Sequence, residues 1–370
     1  MSQLYIGLMS GTSIDGIDAA LVDFSAVVPR LIDCQTYAYP RELVTELHQL
    51  CAPGDNEIVR MGRADRAVAE AFSSAVHTLL KTNYVSPEQI IAIGSHGQTI
   101  RHMPHNGLGF SLQIGDPNTL AIQSGIDVIA DFRRKDIALG GQGAPLVPAF
   151  HQAVFAHCEQ SRVVVNIGGI SNITYLPSGE GGAVLGWDTG PGNTLMDAWC
   201  KRHTGQDYDD KGQWAAQSTP DPLLLRSLCS HPYFTQPPPK STGRELFHLQ
   251  WLEHHIAHCP HKLDPQVVQA TLVALTSHTI AQQIVNFGDV EQVYVCGGGA
   301  QNEFLMECLE TDLHECEFAT TESLGIPPDA VEAMAFAWFA WAFKHNVAGN
   351  LPSVTGAKRN AKLGVYCPHD

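Results

Sequence analysis

The chain has 370 residues, 44 % of them hydrophobic, and a formal net charge of −16 with 22 basic residues. Two domains are the natural prior for that length, and the hydrophobic share is ample for their cores. The acidic balance, with no Lys/Arg-rich run, argues against a nucleic-acid partner, the apolar run Ala333 to Phe343 is too short for a bilayer, and the N-terminus lacks the features of a secretory signal. The ten cysteines contain no C-x-x-C pair, which points to reduced thiols rather than a disulfide framework or a zinc site.

Residues 3 to 9 and 17 to 24 read as strands, with Ser10-Gly11-Thr12-Ser13-Ile14-Asp15-Gly16 as the turn between them. The turn has no G-K-[ST], so it is not the Walker loop. Its glycines, hydroxyls and exposed N–H groups suit a phosphate cradle, with a plain polar hairpin turn as the alternative. Residues 40 to 50 and 56 to 81 read as helices, the second with Val68, Phe72, Val76, Leu79 and Leu80 at helical spacing. Ser86-Pro87-Glu88-Gln89 carries an N-cap, a proline at the first position and a capping-box Gln. A strand from Ile90 to Ile93 then ends in Gly94-Ser95-His96-Gly97-Gln98-Thr99, a cluster of polar groups at a strand end, where α/β sheets commonly face ligand.

Gln113-Ile114-Gly115-Asp116-Pro117-Asn118 reads as a turn with another carboxylate. A strand from Ile126 to Ala130 runs into Asp131-Phe132-Arg133-Arg134-Lys135-Asp136, the densest basic spot of the chain, able to hold a carboxylate or phosphate or simply to form a solvated loop. Gly140 to Pro145 marks the expected crossing into a second lobe. That lobe restarts with strands at 163 to 167 and 172 to 176 around Gly168-Gly169-Ile170-Ser171. A short strand from Ala183 to Leu185 follows, with Asp188 at its end, and then Thr189-Gly190-Pro191-Gly192-Asn193 leading into a helix. N–H groups at such a turn and helix start can hold an anion. Pro237 to Glu245 reads as a proline-stiffened loop that presents Lys240, Arg244 and Glu245. His254 and His258 have i,i+4 spacing without an H-E-x-x-H, which favours a solvated helix face over a metal site.

Asp264-Pro265 starts a long helix to Phe287. A strand from Gln292 to Cys296 runs into Gly297-Gly298-Gly299-Ala300-Gln301-Asn302, where consecutive glycines would let a flat ligand lie on the backbone. Asp329-Ala330-Val331-Glu332 opens a last helix, apolar on nearly all sides, with Asp329 and Glu332 spaced as a capping box.

The glycine turns at 10–16, 188–193 and 297–302 come in the order hairpin turn, strand-Asp-turn-helix and strand-triple-Gly-helix. The stretches Gly7 to Asp18, Gly94 to Thr99, Gln113 to Pro117, Gly141 to Pro148, Asn166 to Asn172, Asp188 to Asn193, Lys240 to Glu245 and Cys296 to Asn302 cover nearly the whole chain. In that order the chain resembles the actin/hexokinase/Hsp70 ATPase superfamily, and in these motifs it is similar to the anhydro-N-acetylmuramic acid kinase family. The resemblance implies an α/β, two-lobed actin/hexokinase/Hsp70-like ATPase fold with duplicated mixed-sheet domains and a central cleft. Its lobes would be residues 1–131 plus about 335–370, and residues 132–334.

The implied enzyme is a cytoplasmic, ATP-dependent hydrolytic kinase of peptidoglycan recycling. It would convert 1,6-anhydro-N-acetylmuramic acid, ATP and water to N-acetylmuramic acid 6-phosphate and ADP. Asp188 would be the base for water. ATP would be held by Gly11, Thr12, Ser13, Ile14, Asp15, Gly16, Ile17 and Asp18, by Gly190, Gly192 and Asn193, and by Gly297, Gly298, Gly299 and Asn302. The amino-sugar substrate would meet His96, Gln98, Asp116, Arg133 and Glu332, with Arg133 (Arg134 next to it) on the lactyl carboxylate. Met9 stands where the wider superfamily carries an Asp, so Mg²⁺ would be reached through water by Asp15. The expected partner is the small molecule alone, with no nucleic acid and no membrane, and a homodimer is admitted. Two other readings stay open: a kinase of the same fold acting on an ordinary sugar hydroxyl, and an ATP-gated binding or chaperone module.

Overall fold

The structure, a computed structural model, describes residues 2–104, 108–179, 181–238, 240–243 and 246–370. Pro239, Arg244 and Glu245 of the loop singled out above lie outside the described residues. Strands β1 (Leu4–Ser10), β2 (Ile17–Asp23) and β3 (Arg30–Tyr37) form an antiparallel meander, followed by helices α1 (Arg41–Leu50) and α2 (Glu57–Thr82). Strands β4 (Ile90–Met103) and β5 (Phe110–Ile114), helix α3 (Pro117–Ser124), strand β6 (Val128–Ala130) and helices α4 (Phe132–Ala138) and α5 (Val147–Phe155) come next. A second meander, β7 (Arg162–Ile167), β8 (Ile170–Leu176) and β9 (Leu185–Pro191), leads to α6 (Thr194–Thr204), α7 (Pro222–Cys229), α8 (Leu249–Ala257) and α9 (Pro265–Val285). Then follow β10 (Gln292–Cys296), α10 (Glu303–Asp312), β11 (Glu317–Thr320), α11 (Val331–Lys344), α12 (Pro352–Thr355) and β12 (Val365–Cys367).

The fold is α/β in two units, Met1–Val154 with Ala330–Asp370, and Phe155–Asp329. The first unit orders its sheet β12-β6-β4-β1-β2-β3, with β5 paired to β4, and the second orders it β11-β10-β7-β8-β9. In both, parallel strands extend a three-stranded meander on the side of its first strand. The same topology twice is the duplication suggested by the two glycine-turn hairpins. Each unit has its own core. In the first, Val68, Phe72, Val76 and Leu79 of α2 pack with Ile6 and Leu8 of β1. In the second, Leu272, Leu275 and Ile280 of α9 pack with Val163, Val165 and Val295. Among the described residues no helix is long and apolar enough to cross a membrane, and no disulfide is formed.

Helix α11 is buried along nearly its whole length, as its all-round apolar sequence requires. It lies directly on β1 and β4. A Cβ on Gly7 would sit 1.8 Å from the Ala333 carbonyl oxygen, and one on Gly94 1.9 Å from that of Phe336. Only glycine permits that approach.

Several elements depart from the sequence expectation, each for a local reason. Gly94 to Thr99 is not a strand end but the middle of β4, where Gly94 pairs with Gly7 and Gln98 with Ser10. Asp188 likewise sits inside β9, opposite Asn172 of β8. Residues 132 to 138 form a helix rather than a charged loop. The first unit runs past the expected boundary at 131 to Val154 and resumes at Ala330. Asp136 explains this: its buried carboxylate accepts from Asn350 Nδ2 at 2.7 Å, Thr355 Oγ1 at 2.8 Å and the Gly143 N–H at 2.8 Å. Those bonds tie α4 and the glycine-rich segment to the C-terminal residues of the same unit. The capping box of the last helix does not form. A 3₁₀ turn at Pro328–Ala330 moves the helix start to Val331, and Asp329 Oδ2 instead accepts from Gln301 Nε2 at 2.9 Å.

Candidate active site

In the first unit, the 10–16 turn is braced from beneath. Ser10 Oγ is fully buried and lies 2.6 Å from Gln98 Oε1 and 2.8 Å from the Gly16 carbonyl, sharing one proton between two acceptors. Gln98 Nε2 donates to the Gly11 carbonyl at 3.0 Å. Ile14 anchors the turn in the core at a φ of 59°, a strained conformation for a β-branched residue of the kind that marks functional loops. Above this base Thr12 and Asp15 are exposed, and among the described residues the N–H groups of Thr12 and Ser13 donate to no backbone carbonyl. A Cβ at Gly11 would meet nothing nearer than Ser13 Oγ at 3.5 Å. The upper face is therefore an open row of donors. Gln98, expected on the sugar side, is buried and serves this turn. Asp18 lies across the ladder from Met9 and accepts from Thr36 Oγ1 at 2.6 Å.

A second group in this unit gathers His96 of β4, Arg133 of α4 and Glu332 of α11. Arg133 donates to His96 Nε2 from Nη2 at 2.9 Å and to the Gly143 carbonyl from Nη1 at 2.8 Å. His96 must then be neutral with its proton on Nδ1. Burial, and next the Arg133 charge, push its pKa down to about 3. Burial also lowers Arg133 to about 10, against the opposing pull of the Glu332 and Asp136 charges. Part of the Arg133 side chain still reaches solvent. A desolvated cation so fixed, with a carboxylate and a neutral imidazole beside it, is built to recognise an anion with defined geometry. Arg134 is exposed and pairs with Asp131 at 2.9 Å, so it plays no part here. Asp116 is the N-cap of α3, accepting from the N–H groups of Asn118 at 3.2 Å and Thr119 at 3.1 Å. Burial works against its charge, but these bonds and the Thr119 hydroxyl hold its pKa below the usual carboxylate value.

In the second unit, the turn Gly168-Gly169 packs against the later glycines, from which ATP contacts were expected. The Gly168 carbonyl accepts from the Asn193 N–H at 2.8 Å, and that of Gly169 from Gly192 at 3.0 Å and Thr194 at 3.1 Å. The N–H groups of Gly192, Asn193 and Thr194 are thus engaged within the protein, whereas those of Gly168 and Gly169 give to no backbone carbonyl among the described residues. The sequence offered the signal, a Gly-Gly-Ile-Ser hairpin matching the first one, but these two glycines were not counted as ligand contacts.

The triple glycine is also divided in its roles. A Cβ on Gly297 would fall 2.3 Å from Asn166 Oδ1, and one on Gly299 2.3 Å from Ile167 Cγ2. These two glycines let the turn pack on the end of β7. Gly298 alone is open, its nearest neighbour being Asn193 Nδ2 at 3.9 Å. Asn302 caps α10, its Oδ1 accepting from the Leu305 N–H at 3.0 Å.

Asp188 is partly exposed and held on every side. Its Oδ2 accepts from the Thr242 N–H at 3.0 Å, its carbonyl accepts from Tyr233 Oη at 2.7 Å, and its N–H donates to the Lys240 carbonyl at 3.2 Å. Burial, and then the Asp188 charge, raise the Tyr233 pKa, so that hydroxyl remains a donor. A hollow of about 510 Å³ beside Trp187, Phe234 and Phe287 adjoins this strand, but Trp187 and Asp188 project from opposite faces of it. Among the described residues no cluster of three His, Cys, Asp or Glu side chains forms a metal cage, and that includes His254 and His258.

A family model described as anhydro-N-acetylmuramic acid kinase matches residues 3–369. The anhydro-N-acetylmuramic acid kinase of Shewanella denitrificans is 55 % identical over 362 residues, covering 98 % of this chain and 97 % of its own. That of Shewanella amazonensis is 54 % identical over 369 residues and the whole of both chains. Among solved structures, the activator of the 2-hydroxyisocaproyl-CoA dehydratase from Clostridium difficile with bound ADPNP is similar at a TM-score of 0.48 and 11 % identity, covering 94 % of this chain and 96 % of its own. The ROK hexokinase from Thermus thermophilus is similar at a TM-score of 0.35 and 17 % identity, covering 92 % of this chain and all of its own.

Proposed function

This chain belongs to the anhydro-N-acetylmuramic acid kinase family, and from that premise we propose a residue-level account of its reaction. It is an ATP-dependent sugar kinase that takes 1,6-anhydro-N-acetylmuramic acid and water to N-acetylmuramic acid 6-phosphate. Asp188 takes a proton from water as the water oxygen bonds to the anomeric carbon. The bond from that carbon to O6 breaks, O6 bonds to the γ-phosphorus, and ADP leaves with the electron pair of the broken phosphoanhydride bond. The proton on Asp188 passes to solvent. The observation that carries this assignment is the hold on Asp188: a carboxylate fixed by a backbone N–H at 3.0 Å yet still partly open to solvent. A base needs that combination of orientation, ionisation and access.

Thr12 and Ser13 of the first turn, with Gly168 and Gly169 of the matching one, offer their open N–H groups to the ATP phosphates, and Gly298 lies against the nucleoside. Magnesium, when bound with ATP, neutralises phosphate charge. Asp15, exposed on the first turn, suits a water-mediated contact to it. Arg133, fixed by His96 and Gly143, takes the lactyl carboxylate, and Glu332 accepts from sugar hydroxyls. We assign the enzyme to the cytoplasm, where its ATP is.

The test is turnover in ¹⁸O-water with wild type and Asp188→Asn. Wild type places label at the anomeric carbon, and the variant keeps sugar and ATP binding while losing turnover by a factor on the order of 10³ or more. Unlabelled product from wild type, or a variant with more than a few per cent of its activity, refutes the assignment.

A further inference from the structure

Lys240 is an odd residue to find inside a protein. The residue is 7 % exposed, and among the described residues it makes no ion pair. Its ammonium donates to the carbonyls of Tyr233 at 3.2 Å and Phe234 at 3.3 Å, and lies 4.9 Å from the centroid of the Tyr233 ring. Those carbonyls belong to the short 3₁₀ helix Pro232–Thr235; that of Tyr233 also accepts from the Gln236 N–H at 3.2 Å, and Lys240 supplies a donor to that of Phe234 at the helix end. Burial pushes the ammonium pKa down, yet three favourable contacts keep the cation in place. Lys240 thereby ties residues 240–242 to the end of that 3₁₀ helix.

The 3₁₀ helix and residues 240–242 together carry the three hydrogen bonds to Asp188 described above. The Tyr233 hydroxyl holds the Asp188 carbonyl, the Lys240 carbonyl takes the Asp188 N–H, and two residues on the Thr242 N–H holds the carboxylate. Asp188 is bound from the loop side by its main chain as well as its side chain. The main-chain contacts fix the Cα–Cβ direction, and the contact to Oδ2 fixes the rotation of the carboxylate.

We propose that Lys240, Tyr233 and the Thr242 N–H form a positioning strap that sets both the aim and the protonation state of the base. This rests on the reading of Asp188 as the base. The Thr242 N–H favours the charged carboxylate, and Lys240 keeps that N–H in place through the chain between them. Only the Thr242 N–H meets the carboxylate itself. Lys240 works through the loop, Tyr233 through the Asp188 backbone.

Steady-state kinetics of the full chain from about pH 5 to 9 tests the strap, with ATP and the anhydro sugar varied separately. Lys240→Met keeps the packing volume and removes the charge. It lowers kcat on the order of tenfold, with both KM values within about twofold. Thr242→Pro removes the N–H, and the acid limb of kcat/KM moves up by about one pH unit. Lys240→Arg restores most of kcat. Tyr233→Phe, which deletes a single hydroxyl from a packed ring, gives a smaller loss of kcat and serves if Lys240→Met does not fold. Wild-type kcat and an unmoved acid limb in Thr242→Pro and in Lys240→Met (or Tyr233→Phe) overturn the strap while Asp188→Asn stays inactive. An active Asp188→Asn in the same assay overturns the base assignment, and the strap with it.

Discussion

Gln98 stands among the polar residues whose pattern suggested a sugar contact, and its buried side chain instead braces the turn that carries Thr12 and Ser13. The discriminating perturbation is Gln98→Met, which keeps length and approximate volume while deleting both polar ends. It removes the 2.6 Å contact with Ser10 Oγ and the 3.0 Å bond to the Gly11 carbonyl. Ser10 keeps the Gly16 carbonyl as an acceptor, so its hydroxyl is not stranded. The Gly11 carbonyl loses one of its two donors and keeps the Ile14 N–H at 3.3 Å. Two hydrogen bonds at about 1 kcal/mol each give a loss of about 2 kcal/mol. If half of that, about 1 kcal/mol, appears as the cost of ordering the turn around phosphate, KM for ATP rises about fivefold. KM for the anhydro sugar stays unchanged. Urea unfolding gives the first quantity and steady-state kinetics the other two. A variant with wild-type stability and ATP KM but a raised sugar KM would refute the brace and return Gln98 to the sugar.

Two further outcomes follow from the geometry. Asp127 accepts from Tyr366 Oη at 2.6 Å, Lys344 Nζ at 3.0 Å and His369 Nδ1 at 2.9 Å; burial disfavours its charge, but these bonds together hold its pKa at about 2. Since the folded pKa lies below the unfolded one, that stabilisation is present above about pH 4 and fades toward pH 2, so the stability gap between wild type and Asp127→Asn is on the order of 2 kcal/mol at neutral pH and closes on acidification, and a gap independent of pH contradicts the assignment. Gly299→Ala costs about 1–3 kcal/mol by overpacking against Ile167, and Ile167→Ala in the same chain recovers part of it; Gly298→Ala leaves the melting temperature unchanged and weakens ATP binding, and a melting loss as large as that of Gly299→Ala would show that the open position is misassigned.

The architecture was largely legible from the chain, because Gly/Ser/Thr turns between apolar runs report their own local geometry. The turn at 10–16 and the strand leading to Gly297 are where the pattern puts them. The direction in which a polar side chain points was not legible. His96 and Gln98 look alike in Gly94-Ser95-His96-Gly97-Gln98-Thr99, yet one meets Arg133 and the other supports Gly11. What separates them is α4 and the 10–16 turn, both distant in sequence. The basic run 133–135 read equally as an anion site or a solvated loop because charge composition carries no phase. As a helix it sends Arg133 inward while Arg134 and Lys135 stay exposed. Asp329 and Glu332 have capping-box spacing, but a 3₁₀ turn ahead of α11 gives Asp329 to Gln301 and leaves Glu332 beside Arg133. Gly168 and Gly169 were visible as a turn, but the pattern could not show that the Gly192 N–H would be spent on the Gly169 carbonyl while theirs reach no backbone carbonyl among the described residues.

The seating of α11 on Gly7 and Gly94 also bears on the order in which the protein comes into being on the ribosome. Unit 2 is one continuous stretch, Phe155–Asp329, whereas unit 1 needs Ala330–Asp370. A nascent chain that has just passed residue 329 holds every residue of unit 2 but lacks the helix that covers β1 and β4. The usual vectorial sequence, first domain first, is therefore reversed: the middle of the message folds before its beginning can finish. Until α11 emerges, the glycine face of β1 and β4 is bare and apolar, a natural point for a chaperone to attend.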